Sequence, residues 1–136
     1  MRRGAPDDSH ISIRGDLSLP LGVLRQHALH IARGQKIAYV VDIAYHDRNI
    51  EKVIALARDA DQLFIEAPFL DVDASIAAQR QHLTARQAGA IAKRAGVARL
   101  VTFHYSARYR DQEDELRREA EEAFCAHLSL GGPPRT

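Results

Sequence analysis

The chain has 136 residues, 46% of them apolar and 27% charged, which predicts one ordinary globular domain with its own core. The formal net charge of +1 gives no electrostatic argument for a nucleic-acid partner, and a single cysteine excludes an internal disulfide. No apolar run is long enough to cross a bilayer, so we expect a cytoplasmic protein with no membrane partner, in which Cys125 is a small core residue.

The first part of the chain has little periodic pattern. Residues 1–20 are rich in turn formers, and within them only His10–Ile13 alternates like a short strand, so this stretch is predicted to be an N-terminal arm. Residues 21–31 fit either a strand or a short helix. The turn at 33–35 favours a strand that pairs with the next one through a hairpin.

Three later apolar segments each end in an ionisable side chain. The β-formers of 36–41 run into Asp42, those of 63–65 run into Glu66, and those of 100–103 run into His104. In α/β sheets the carboxyl ends of the strands usually carry the chemistry. The recurrence therefore predicts a functional site built from these three side chains.

Helical patterns fill the segments between and after these strands. Asp47 or Asn49 is predicted to cap a helix, residues 71–81 form a short one, Thr84 begins a capping box, and Asp111 caps the last. The alternation predicts an α/β fold of β-α units, with a mixed sheet covered by helices. We expect three regions: an arm (1–20), one domain (21–130) and a disordered tail (131–136).

The candidate site residues also have ordinary structural explanations. Asp42 and His104 could share one Zn²⁺ or Mn²⁺, but Asp42 could instead cap a helix and His104 could be a hydrogen-bonded loop residue. Glu66 and His82 could form a carboxylate–imidazole pair that protonates a leaving group. The guanidinium of Arg108 suits a phosphate, although arginines are common in loops.

Four blocks together resemble a known family. The segments 38–42, 64–71, 82–88 and 103–109 are similar, in order, to the C-terminal half of ribonuclease Z-like metallo-β-lactamase-fold hydrolases. The resemblance implies half of an αββα sandwich and a phosphodiesterase, with tRNA 3′ processing as the candidate reaction. It also implies roles for five residues: Asp42 and His104 as metal ligands, Glu66 and His82 as the proton-donating pair, and Arg108 beside the scissile phosphate.

The sequence also departs from this family. Ile43, Ile65, Leu83 and Ala107 replace the usual threonine, histidine, serine and proline, and none of these changes removes a proposed ligand. More importantly, the family's N-terminal His-x-His-x-Asp-His motif, which supplies most metal ligands, is not spelled in this chain. We therefore expect incomplete metal ligation and little or no activity from this chain alone.

A lone half of such a sandwich would expose an apolar sheet face. We expect that face to be covered by a homodimer or by a complementary N-terminal half, with RNA or another phosphodiester as substrate. The alternative is a non-catalytic binding or assembly module that keeps the scaffold.

Overall fold

The computed structural model describes residues 4–30 and 32–126, so the predicted tail, 131–136, lies outside the described residues. The chain divides into two compact units, one ending at Gly34 and the other beginning at Gln35. None of the helices in this described part is long and apolar enough to cross a membrane.

The first unit is an antiparallel hairpin followed by a helix. Strands β1 (His10–Arg14) and β2 (Leu17–Pro20) pair, and helix α1 (Leu21–His27) follows directly. The prediction of a strand over 21–31 is wrong for Leu21–His27, while residue 31 itself is not described. Pro20 occupies the N-cap, where its missing N–H costs nothing, and Leu21 and Leu24 are buried at helical spacing.

The second unit is built of β-α connections around one parallel sheet. Its strands are β3 (Ile37–Val40), β4 (Gln62–Glu66) and β5 (Leu100–Phe103), in the spatial order β3-β4-β5. Its helices are α2 (Asp47–Ala57), α3 (Ala74–Arg80), α4 (Ala85–Ala95) and α5 (Glu113–Cys125). The predicted α/β fold of β-α units is confirmed, with the antiparallel strands confined to the hairpin of the first unit.

Helix α4 begins and ends as its sequence predicts. The Thr84 hydroxyl accepts a hydrogen bond from the backbone N–H of Gln87 (3.2 Å), and the Gln87 side chain accepts one from the backbone N–H of Thr84 (2.9 Å). This reciprocal pair is the predicted capping box. Gly96 ends the helix with a φ of +66°, a left-handed conformation that glycine adopts without steric cost.

Two other caps differ from the predictions. Helix α2 begins after His46, whose Nδ1 accepts the backbone N–H of Asn49 at 3.3 Å, and neither Asp47 nor Asn49 is its N-cap. Helix α5 begins after Gln112 and not at Asp111, which takes a left-handed φ of 68°. In both cases the backbone places a neighbour of the expected residue at the helix end.

The core lies between one face of the sheet and the helices. Leu63 and Ile65 of β4 are fully buried in it. Helices α4 and α5 approach closely at Gly89, where an added Cβ would collide with the carbonyl oxygen of Ala120. Cys125, at the end of α5, is exposed, so the prediction that it packs in the core is wrong.

The opposite face of the sheet carries apolar side chains that remain accessible. Ile37 is 58% exposed and Tyr39 is 62% exposed. The Tyr39 ring stacks on Phe103 with centroids 4.9 Å apart and tilts against Phe64 at 6.3 Å. The face therefore presents a continuous aromatic surface across all three strands.

Candidate active site

The parallel sheet brings three chemically active side chains to one edge. Glu66 is the last residue of β4, His104 directly follows β5, and Asp42 lies two residues beyond β3. Asp42 and His104 both have left-handed backbones, with φ of 53° and 62°, which non-glycine residues rarely adopt. His82 joins them from the turn between α3 and α4.

Glu66 is the centre of this arrangement. Its side chain is fully buried, and its two carboxylate oxygens accept hydrogen bonds from three backbone N–H groups. Oε2 accepts from Asp42 (2.9 Å), and Oε1 accepts from Ile43 (3.3 Å) and Leu83 (3.1 Å). A buried charge needs such partners, so Glu66 ties the loop after β3 to the turn before α4.

Both histidines contact the same carboxylate oxygen. Nδ1 of His82 lies 2.9 Å from Glu66 Oε2, and Nδ1 of His104 lies 3.3 Å from it. The two rings meet edge to face, with centroids 5.3 Å apart. Because His82 directs Nδ1 at the carboxylate over the shorter distance, Nε2 is the nitrogen through which its ring can reach a substrate.

Asp42 supplies the accessible carboxylate of the site. Its side chain is 68% exposed, and its Oδ1 lies 3.6 Å from His104 Nδ1 and 3.9 Å from His82 Nδ1. One ligand atom from each of Asp42, Glu66, His82 and His104 falls within 4.8 Å of the others. We call these four residues the strand-end cluster.

The donor set of the strand-end cluster fits a metal ion in part. Two ligand atoms on one tetrahedral zinc lie about 3.4 Å apart. Oδ1 of Asp42 and Nδ1 of His104 have a similar separation, 3.6 Å. Carboxylate oxygen and imidazole nitrogen are both ligands that zinc accepts. The oxygens of Glu66 already accept backbone N–H groups, so Asp42 and His104 are the members with the better access to a metal.

A cavity of about 170 Å³ opens beside the two histidines. Its walls include Phe69, Tyr105 and Ser106, and the guanidinium-bearing Arg80 also lines it. Arg108 is absent from the described residues that line this cavity. Its Nη1 lies 4.0 Å from Asp73 Oδ2 instead.

Asp73 also accepts a hydrogen bond from the hydroxyl of Tyr109. Burial and this hydrogen bond raise the pKa of Tyr109 to about 12. The contact links the segment that carries Arg108 to the start of α3. Arg108 and Tyr109 thus both lie against Asp73.

The four cluster residues were all singled out by their positions at strand ends and before the capping box. Three contributors were not: the backbone N–H groups of Ile43 and Leu83, and the side chain of Arg80. The N–H groups carry no signal in the sequence. Arg80 lies two residues before His82, but the sequence does not indicate the left-handed turn at Gln81 that separates them.

Comparison with known proteins shows which family and which proteins the chain is similar to. The family model described as "Beta-lactamase superfamily domain" matches residues 18–105. The chain is 39% identical to the ribonuclease Z of Streptomyces coelicolor over 92% of its own length, and 46% identical to that of Thermobifida fusca over 71%. It spans only 39% and 30% of those two proteins.

A solved structure is also similar. The metallo-beta-lactamase fold protein YhfI from Bacillus subtilis superposes with a TM-score of 0.51 at 30% identity. The match covers 65% of this chain and 34% of YhfI.

Proposed function

We propose a function from one premise: the chain belongs to the beta-lactamase superfamily, whose model matches most of its length. Its curated relatives include ribonucleases Z, and we infer that it takes part in metal-dependent hydrolysis of RNA phosphodiester bonds. The observation that carries this proposal is the convergence of Asp42, Glu66, His82 and His104 at one sheet edge. In this proposal tRNA precursors are the candidate substrate.

The residues divide the work according to their access. Asp42 and His104 would hold a metal, with zinc or manganese as the candidates, because their ligand atoms are the accessible ones. When bound, such a metal polarises the phosphoryl oxygen and activates water. Arg108 would neutralise phosphate charge at the edge of the site.

Glu66 and His82 form the proposed proton-donating pair. A protonated His82 donates its Nδ1–H to the buried carboxylate over 2.9 Å, which orients the ring. Its Nε2–H then faces away from Glu66, where it can be given to the oxygen that leaves the phosphorus atom. Glu66 keeps its own contacts throughout and acts by holding the ring.

The ligand set within this chain is incomplete. Catalytic zinc normally has at least three protein ligands, and Asp42 and His104 supply two. We propose that further ligands come from a His-x-His-x-Asp-His segment, and that the apolar sheet face around Tyr39 is where the domain carrying it packs. The chain alone is then expected to bind metal weakly and to hydrolyse phosphodiesters poorly.

This proposal is tested by complementation. The chain is co-expressed with the part of Streptomyces coelicolor ribonuclease Z that it does not cover, and the mixture is assayed for 3′ processing of a tRNA precursor and for bound metal. We expect activity and stoichiometric metal only when both polypeptides are present and His104 is intact. Tight zinc and turnover by the chain alone would contradict it, as would a metal-loaded complex with no turnover.

A second candidate is a non-catalytic assembly module. The exposure of Ile37 and Tyr39 favours it, because an accessible apolar sheet face serves association whether or not the cluster is active. The two candidates separate on His82→Ala. The substitution abolishes processing by the complemented enzyme in the first case, and changes no property of the assembly in the second.

A further inference from the structure

The cavity beside His82 and His104 has a positively charged wall. Arg80 is the only arginine or lysine among the described residues that line it. The other charged members of the site, Asp42 and Glu66, are carboxylates and repel a phosphodiester. A substrate strand that enters this cavity therefore meets its cationic contact at Arg80.

Arg80 is free to make such a contact. Arg86, six residues later, already pairs with Asp71 at 3.1 Å, and Arg108 lies 4.0 Å from Asp73. Within residues 4–30 and 32–126, no carboxylate oxygen lies within 4.0 Å of the Arg80 guanidinium. Its charge is therefore not already neutralised by the described part of the protein.

The backbone fixes Arg80 relative to His82. Arg80 ends helix α3, and Gln81 follows with a left-handed φ of 60°. The backbone N–H of Gln81 donates to Ala78 and that of His82 donates to Ala77 at 2.9 Å, closing the helix end. The side chains of Arg80 and His82 thus project from one hydrogen-bonded turn.

We propose that Arg80 binds a phosphate group of the RNA strand in this cavity, beside the phosphodiester that His82 would serve. The inference rests on the proposed function and adds a substrate-positioning residue to it. A guanidinium suits the role because its planar N–H donors match two oxygens of one phosphate, and lysine matches them less well.

The test measures binding to the full chain by NMR, through the ring signals of His82 and His104. The ligands are the dinucleotide UpU and its methylphosphonate analogue, whose backbone linkage is uncharged. The proteins are the wild type, Arg80→Gln, Arg80→Lys and Arg99→Gln. Arg99 is the matched control, since it is exposed and precedes β5, about 16 Å along the strand from His104.

UpU is expected to shift both histidine rings of the wild type, and Arg80→Gln is expected to raise its Kd about fivefold or more. Arg80→Lys should raise the Kd of UpU by less than Arg80→Gln does, because lysine keeps the positive charge. Arg99→Gln should change the Kd by less than about twofold, because solvent and salt screen a charge at that distance. The methylphosphonate analogue should bind the wild type and Arg80→Gln alike.

Equal binding of UpU by the wild type, Arg80→Gln and Arg80→Lys, with the rings still responding, would overturn the assignment of Arg80 and leave the proposed function standing. An equal loss in Arg99→Gln would overturn it too, because the effect would then be general charge. If UpU leaves the rings of the wild type unmoved, the assignment of Arg80 fails, while the proposed function, which needs the complementary domain, is decided by the complementation assay.

Discussion

Replacing Glu66 by glutamine tests the claim that one buried carboxylate organises the site. The substitution keeps the shape of the side chain and removes one acceptor oxygen. In the better orientation the remaining oxygen stays at Oε1 and keeps the N–H groups of Ile43 and Leu83. The new NH₂ group then takes the place of Oε2, where it can donate to the Nδ1 atoms of the histidines.

The cost of this change follows from the contact that is lost. The backbone N–H of Asp42, at 2.9 Å from Oε2, would face an amide NH₂ and lose its acceptor. One such loss costs about 1–3 kcal/mol of unfolding free energy. Glu66→Ala removes the acceptor of all three N–H groups, so we expect a larger loss, about 3–5 kcal/mol.

The measurement is urea denaturation of the full chain, with the ¹⁵N signals of His82 as a second readout. Glu66→Gln should move the ring proton of neutral His82 from Nδ1 to Nε2, because Nδ1 now accepts from the amide. Glu51→Gln is the control, since Glu51 is exposed and pairs with Arg94 on the surface; it should change stability by less than about 1 kcal/mol. Equal stability of Glu66→Gln and wild type, with an unchanged tautomer, would refute the role given to Glu66.

Three further predictions concern other parts of the fold. Gly89→Ala should lower the free energy of unfolding by about 1–3 kcal/mol, because its Cβ collides with Ala120; in an ordinary helix the same change stabilises, so the sign in a thermal melt decides. Wild-type stability should fall between pH 10 and about 12, because folded Tyr109 keeps a proton that the unfolded chain releases; Tyr109→Phe should lose this component in denaturation curves compared across that range. Tyr39→Asp should weaken association of the chain with its complementary domain or a second copy in sedimentation velocity, and unchanged association would mean another face is used.

Much of the second unit could be predicted because its local signals agree with its tertiary packing. Thr84 and Gln87 spell a capping box, Gly96 supplies the left-handed helix end, and the structure uses all three as expected. Glu66 directly follows buried β-formers, so its place at a strand end could be inferred from pattern alone.

The predictions are wrong where the local structure depends on the path that the backbone takes in the folded chain. The apolar residues of 21–27 fit two periodicities, and the helix forms because Pro20 starts it and Leu24 finds burial. At the starts of α2 and α5, several polar residues compete for the cap, and the direction of the incoming chain selects His46 and Gln112. The exposure of Cys125 likewise depends on how far α5 extends beyond its buried residues.

In the site, too, some features follow from the local sequence and others depend on the path of the backbone. The identity of its four side chains could be predicted, but their focus on one carboxylate could not, because that depends on left-handed turns at Asp42 and His104. Arg80 could not be predicted in the same way, because its place beside His82 in the cavity depends on the left-handed turn at Gln81.

The Glu66 carboxylate accepts backbone N–H groups from two separate loops, and this arrangement also affects which misfolded states the chain can adopt. In a compact state with the loop after β3 or the turn before α4 out of place, Glu66 would be sealed from water with too few donors. A buried carboxylate without its partners costs several kcal/mol, so such states lie well above the native one. The carboxylate that holds the two histidines therefore also raises the free energy of compact states in which these loops are misplaced.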